Sequence, residues 1–151
     1  MVDFPIKFYN ASSSECFGDT SGLAANEDTR FNPMSPYAIA RSTGHQFVQS
    51  YRTGYNLYAV NGICFNHESS LRPERFVTQK IISTVNRISL GSKEKLFLGR
   101  LDIARDWGWA PEYIVAMWKM LQQEQPKDYI IATGHTRTLE EFIDIAFSIK
   151  G

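Results

Sequence analysis

Tyr37 and Arg41 stand four residues apart in a segment of helical character, so the phenol and the guanidinium share one helix face. A free tyrosine ionises near ~10 and is a poor base at neutral pH, but an adjacent cation favours the phenolate. The pair can therefore make Tyr37 a proton acceptor. The same spacing also suits an aromatic packed on the core with a solvated arginine one turn later. A second group, Ser12-Ser13-Ser14-Glu15, follows a short apolar stretch that reads as a strand. In open α/β sheets reacting groups gather at the carboxyl ends of strands. There a hydroxyl cluster can hold a sugar and Glu15 can shuttle a proton, or the four residues form a polar turn that ends a strand. A third group is Arg72, Arg75 and Arg105, the last followed by Asp106-Trp107. Forked cations beside an aromatic suit a phosphate or a base, whereas exposed arginines with nothing to link them serve no specific purpose.

The elements that must position these groups alternate. Ile6 to Ala11 reads as a strand, and a loop rich in Asn, Asp, Gly and Thr runs to Met34. Ser35-Pro36 then opens a helix, Ser as N-cap and Pro at the first helical position, running to about Arg52 and stopping before Gly54. Leu57 to Phe65 is an apolar run suited to a strand covered on both faces, as in a parallel sheet. Phe76 to Leu90 carries apolar residues at helical spacing with Gly91 just beyond as a cap. Lys95 to Leu98 reads as a short strand, Pro111 to Gln122 as an amphipathic helix and Tyr129 to Ala132 as another strand. Thr138-Leu139-Glu140-Glu141 is a capping box that starts the last helix. Strand and helix in turn predict an α/β fold with a mainly parallel sheet.

That sheet is short for a nucleotide fold, because only one strand precedes the Tyr37 helix. The ten glycines, at 18, 22, 44, 54, 62, 91, 99, 108, 134 and 151, are never spaced by one residue. No G-x-G-x-x-G turn or phosphate-binding G-x-x-x-x-G-K-[ST] loop is present.

Composition narrows the function classes. The chain has 151 residues, 43% hydrophobic, enough for one sizeable core. Sixteen basic and sixteen acidic side chains cancel, leaving no field to attract nucleic acid or an anionic membrane. No apolar stretch approaches the ~18 residues a membrane span needs. Met1-Val2-Asp3-Phe4-Pro5 has no secretory pattern, so a cytoplasmic setting is expected. Cys16 and Cys64, in apolar surroundings with no motif spacing, read as reduced thiols. His45, His67 and His135 are scattered, which predicts no metal site. His67-Glu68 reads as local hydrogen bonding on a loop, and Trp107, Trp109 and Trp118 as core. Asn10-Ala11-Ser12 fits a glycosylation sequon by chance.

Taken together, these segments resemble a family. Phe8-Tyr9-Asn10-Ala11-Ser12-Ser13-Ser14-Glu15-Cys16-Phe17-Gly18 resembles the strand and catalytic loop of GDP-mannose 4,6-dehydratases, extended short-chain dehydrogenase/reductases. Ser35-Pro36-Tyr37-Ala38-Ile39-Ala40-Arg41 is similar to the helix with the Y-x-x-x-K motif. Asn61-Gly62-Ile63-Cys64-Phe65-Asn66-His67-Glu68-Ser69 is the most specific match, and the segments from Gly99 to Gly108 and Ile131 to Gly134 follow in family order. The resemblance covers nearly the whole chain and about the second half of a family member.

The resemblance implies conversion of GDP-mannose to GDP-4-keto-6-deoxymannose, with NADP used and not consumed. It makes Tyr37 the base for the sugar 4-hydroxyl and Glu15 the base for the C5 proton, with Ser13 where the family has threonine. Ser14 would support the site; Asn61, Arg75 and Arg105 would hold the GDP-sugar, with Arg72 near the cofactor. Arg41 stands at the lysine position, and its larger planar fork makes different contacts. The expected fold is the C-terminal part of such an enzyme, one unit whose residues 1–66 are a Rossmann-like remnant and 67–151 mostly a substrate-binding subdomain. Without the dinucleotide-gripping half the chain is expected to be inactive alone. An exposed sheet edge would be covered by a complementary N-terminal half or by a homo-oligomer. The alternative is a non-catalytic GDP-sugar-binding or structural assembly module.

Overall fold

The computed structural model describes residues 6–150, so the reading of Met1 to Pro5 lies outside the described residues. Two compact units divide the chain. One comprises the described residues up to Phe65 together with Pro111–Ala132; the other comprises Asn66–Ala110 and the described residues from Thr133.

In the first unit, β1 (Lys7–Ser13), β2 (Tyr58–Cys64) and β5 (Tyr129–Ile131) form a fully parallel sheet in the order β1-β2-β5. Between β1 and β2 runs α1 (Pro36–Tyr55), opened as expected by Ser35, whose hydroxyl accepts the Ala38 N–H at 3.1 Å. Helix α1 passes through Gly54 and ends at Tyr55. The terminator is Asn56, in the left-handed region at φ 53°, which asparagine tolerates better than most residues. A second helix, α3 (Ala110–Leu121), brings Tyr113 and Met120 onto Val60, Cys64 and Ile131 of the sheet. Val60 and Cys64 share one face of β2, so the alternate residue Asn61 faces the other way, toward α1. Strand β2 is buried from Ala59 to Cys64, as its continuous apolar run predicts for a strand covered on both faces.

Gly62 has a packing reason: a Cβ there would run into the ring of Tyr9, 2.7 Å from Cε2. The Tyr9 hydroxyl lies 3.4 Å from Cys64 Sγ. Burial raises the pKa of both groups, and for Cys64 the Tyr9 hydrogen bond and the Arg41 charge only partly oppose it. Cys16 and Cys64 are both buried and free.

In the second unit, β3 (Asn66–Glu68) pairs in parallel with β4 (Ala104–Trp109), which pairs antiparallel with β6 (Thr136–Thr138). Helices α2 (Val77–Ser89) and α4 (Leu139–Lys150) pack together through Ile81, Val85, Leu139 and Ala146. The capping box at the start of α4 is complete: Thr138 N–H donates to Glu141 Oε2 at 2.8 Å, and Glu141 N–H to Thr138 Oγ1 at 3.1 Å.

Several expectations differ from what is observed. The two units part between Phe65 and Asn66, and α3 and β5 belong to the first, where the apolar Tyr129–Ile131 run pairs with β2. No strand forms at 95–98; Leu96 and Leu98 are drawn half-buried onto the α2–α4 core, and Lys80 Nζ donates to Phe97 O at 2.6 Å. His67 and Glu68 sit on β3, not a loop. Trp107 packs on Phe142 as expected of a core residue, but Trp109 and Trp118 are exposed. The sequon lies within β1, where Asn10 Nδ2 donates to Asn61 Oδ1 at 2.8 Å.

Candidate active site

Parallel pairing carries β1 and β2 to a common end, and at that end β1 runs into the serine-rich turn. Ser13 caps a 3₁₀ turn, Ser14–Phe17, by accepting the Glu15 N–H on its hydroxyl at 3.2 Å. Ser12 and Ser13 are buried, Ser14 is half-buried and Glu15 is exposed. The turn packs against the start of α1, where Cys16 Sγ reaches Ala38 O at 3.8 Å. Glu15 and Tyr37 are thus sequence neighbours of two residues in contact. Gly18, at φ 66°, closes the turn, and a side chain there would strike the Asn32 carbonyl.

Tyr37 is 53% exposed, so its phenol is open to a substrate. The Arg41 guanidinium carbon lies 5.1 Å from the Tyr37 ring centroid, and Arg41 Nη1 donates to Ala11 O at 3.0 Å. The helix spacing does bring the pair together. The arginine also braces the end of β1, a use of its fork that spacing did not reveal.

Asn61, expected to hold the GDP-sugar, lies in the interior. It is fully buried; its amide donates to His45 O at 3.2 Å and to Asp128 Oδ1 at 3.2 Å, and accepts from Asn10. The two-sided cover of β2 is the reason, because it leaves this side chain between sheet and α1. It belongs to a polar network centred on Asp128. That carboxylate accepts from Arg52 at 2.7 and 2.9 Å, from the Asn61 N–H at 2.9 Å and from Gln49 at 3.0 Å. Burial alone would raise its pKa, but the Arg52, Asn61 and Gln49 hydrogen bonds outweigh that and hold it at about 2. Sequence reasoning missed Asp128, Arg52 and His45. The available signal was His45, Gln49 and Arg52 at helical spacing on the core side of α1.

The three arginines expected to meet the nucleotide, Arg72, Arg75 and Arg105, all belong to the second unit. Arg72 and Arg75 flank the Phe76 ring at 3.7 and 5.1 Å, just before α2. Arg72 Nε lies 3.2 Å from Glu68 Oε2; the N–H points off the line, so this is an ion pair without a formed hydrogen bond. Glu68 also accepts from Thr78 at 2.9 Å. Arg105 is exposed on β4, opposite Arg137 of β6. Asp106 beside it is buried and accepts from Thr133 and Gly134 at 2.8 to 3.1 Å, which fixes the backbone that presents Arg105.

A dinucleotide needs a glycine-lined turn between strand and helix for its pyrophosphate. Between β1 and α1 the described glycines, Gly18 and Gly22, stand four residues apart, without the G-x-G-x-x-G spacing of that cradle. Among the described residues no cluster of three metal-ligating side chains occurs, and no helix is long and apolar enough to cross a membrane.

The chain is similar to known proteins over nearly its whole length. Residues 2–151 match the sequence profile described as GDP-mannose 4,6 dehydratase. The chain is 50% identical over 146 residues to GDP-mannose 4,6 dehydratase 1 of Arabidopsis thaliana, covering 97% of this chain and 40% of that protein. It is 47% identical over 142 residues to the Homo sapiens enzyme, covering 94% of this chain and 38% of that one. The chain thus spans about two fifths of the length of these curated relatives. RMD from Pseudomonas aeruginosa, solved with NADPH, superposes with a TM-score of 0.90 at 20% identity, over 98% of this chain and 52% of that one. A dTDP-glucose 4,6-dehydratase from Bacillus anthracis, solved with NAD, gives 0.86 at 19%, over 95% and 45%. At such identities the superpositions speak for the fold.

Proposed function

Since the chain belongs to the GDP-mannose 4,6-dehydratase family, we propose that it is the sugar-processing part of such an enzyme, acting on GDP-mannose or a related GDP-sugar in a cytoplasmic setting. The observation that carries this reading is the exposed Tyr37 phenol, with Arg41 beside it, next to the turn that presents Glu15.

In this reading Tyr37 takes the proton of the sugar 4-hydroxyl, and Glu15 removes the C5 proton once C4 is a ketone and C5 is acidic. Loss of the C6 hydroxyl follows, which makes the chemistry a hydro-lyase reaction. The Ser13 hydroxyl, with its oxygen already accepting from Glu15, keeps its hydrogen for the sugar. Ser14 supports the site. Arg75 and Arg105, exposed and of the right charge, serve the GDP group, with Arg72 near the cofactor. Arg41 keeps a cation at the tyrosine while its fork is committed to Ala11 O. Asn61 serves by holding β2 and α1 in place.

NADP, the family's cofactor, has no G-x-G-x-x-G cradle among the described residues, and in this reading it would be held by a complementary N-terminal half. Helix α1 leaves Ile39, Phe47, Tyr51 and Tyr55 exposed, an apolar face apt to be covered by that half or by a second copy. A second reading, a GDP-sugar-binding or assembly module without catalysis, is favoured by the missing cradle and by the engagement of Arg41 with the backbone.

The test is reconstitution with an NADP-binding half from a relative. Turnover of GDP-mannose that disappears in Tyr37→Phe supports the enzymatic reading. A verified complex that binds GDP-mannose and turns nothing over establishes the second.

A further inference from the structure

Helix α1 grips the end of β1 at two consecutive residues. Arg41 donates to the Ala11 carbonyl at 3.0 Å, and one turn later His45 Nδ1 lies 3.1 Å from Ser12 Oγ. Tyr37, Arg41 and His45 are spaced by four, so they descend one side of the helix from an exposed phenol to an imidazole only 5% exposed. Ser12 is the last residue before Ser13, whose hydroxyl caps the turn that carries Glu15.

The surroundings of His45 assign its hydrogens. Its Nε2 is 3.5 Å from Asp128 Oδ2, its ring meets Phe31 edge-on at 4.7 Å, and Arg52 is bound to the same carboxylate. Asp128, with its pKa held at about 2, can only accept, so the nitrogen facing it carries the hydrogen. Burial lowers the His45 pKa, Asp128 opposes that and Arg52 adds to it, so the ring is neutral at pH 7. Nδ1 is then bare, and the Ser12 hydroxyl donates to it. Ser12, His45 and Asp128 have the order of a nucleophilic triad. Ser12 is 4% exposed, however, and its oxygen is 3.9 Å from Cys16 Sγ in the interior, so no substrate reaches it.

We propose that His45 is a positioning residue for the Ser13–Glu15 turn, tying Ser12 to the Asp128–Arg52 pair so that the Ser13 hydroxyl and the Glu15 carboxylate keep one placement at the start of α1. The assignment of work to that turn rests on the proposed function; the tie itself does not.

The experiment is NMR on the purified chain without nucleotide sugar, reading the imidazole nitrogens and amide exchange. His45→Phe keeps a ring and removes both nitrogens, while His45→Asn keeps a polar group near the place of Nδ1. The wild type should show the Nε2–H tautomer. In His45→Phe the amides of Ser14, Glu15 and Cys16 should exchange about tenfold faster, the worth of one hydrogen bond, with the Val60 amide unchanged. His45→Asn should restore most of the protection. An Nδ1–H tautomer in the wild type, turn amides unmoved in His45→Phe, or turn and β2 amides moved by one common factor would overturn the proposal. A loosened turn in a chain that fails to bind GDP-mannose would uphold the tie and remove the dehydratase reading.

Discussion

Tyr37 and Asp128 differ at the residue scale: Tyr37, the proposed proton acceptor, is exposed, while Asp128 bonds to side chains of α1 and β2 and holds the two together. Tyr37→Phe removes one hydroxyl from an exposed position, so the account predicts a melting temperature within about 1 °C of wild type, the shift of a small surface change. In the reconstituted enzyme the same variant should lose at least about a hundredfold in kcat, the usual worth of a positioned base, with the affinity for GDP-mannose retained. Asp128 makes stability depend on pH. Its folded pKa, about 2, lies below the unfolded value of 3.8, so its contribution is present in full above pH 4 and is lost as pH falls toward 2. The shift is on the order of 2 kcal/mol at most, and about half of that remains once partial solvent screening is allowed for. Urea midpoints at pH 7 and pH 2.5 should therefore converge in Asp128→Asn, which starts lower at pH 7 because Arg52 loses its partner. An unchanged gap between the two pH values would show that another carboxylate controls acid stability.

At the scale of elements, the packing of β1 on β2 depends on a residue without a side chain. Gly62→Ala places a methyl group against the Tyr9 ring, and about 1 to 3 kcal/mol of destabilisation is expected, measurable by urea unfolding. The box at the start of α4 makes a second prediction: Thr138→Ala and Glu141→Ala should each cost about 1 kcal/mol and be less than additive together, since each removes half of one reciprocal pair. These local devices were legible in the sequence. Ser35-Pro36 and Thr138 to Glu141 name their own helix starts, and the apolar run from Leu57 to Phe65 announces a strand covered on both sides. What was not legible is what depends on pairing between distant segments. Strands β3, β4 and β6 are short and polar in part, so their sequences lack alternation. Leu96 and Leu98 alternate like a strand but meet a helical core in place of a sheet edge. Asn61 shows the same limit within the site. The family resemblance implied a ligand-binding role for it, and only the placement of α1 over β2 reveals that its amide is already hydrogen-bonded.

At the scale of the molecule, two small parallel-containing sheets each hold part of the candidate chemistry: the proton-transfer groups in the first unit, the arginines in the second. Helix α1 leaves Ile39, Phe47, Tyr51 and Tyr55 exposed, the face proposed to be covered by a complementary half or a second copy. The parts proposed to contact the sugar nucleotide are nevertheless present in this chain, which leads to the most direct test. Calorimetric titration of the purified chain with GDP-mannose, repeated with NADP present, should give saturable binding of the sugar nucleotide in both conditions, weakened by Arg105→Ala. No heat of binding in either condition would contradict the account, and family membership would then record ancestry without a retained site.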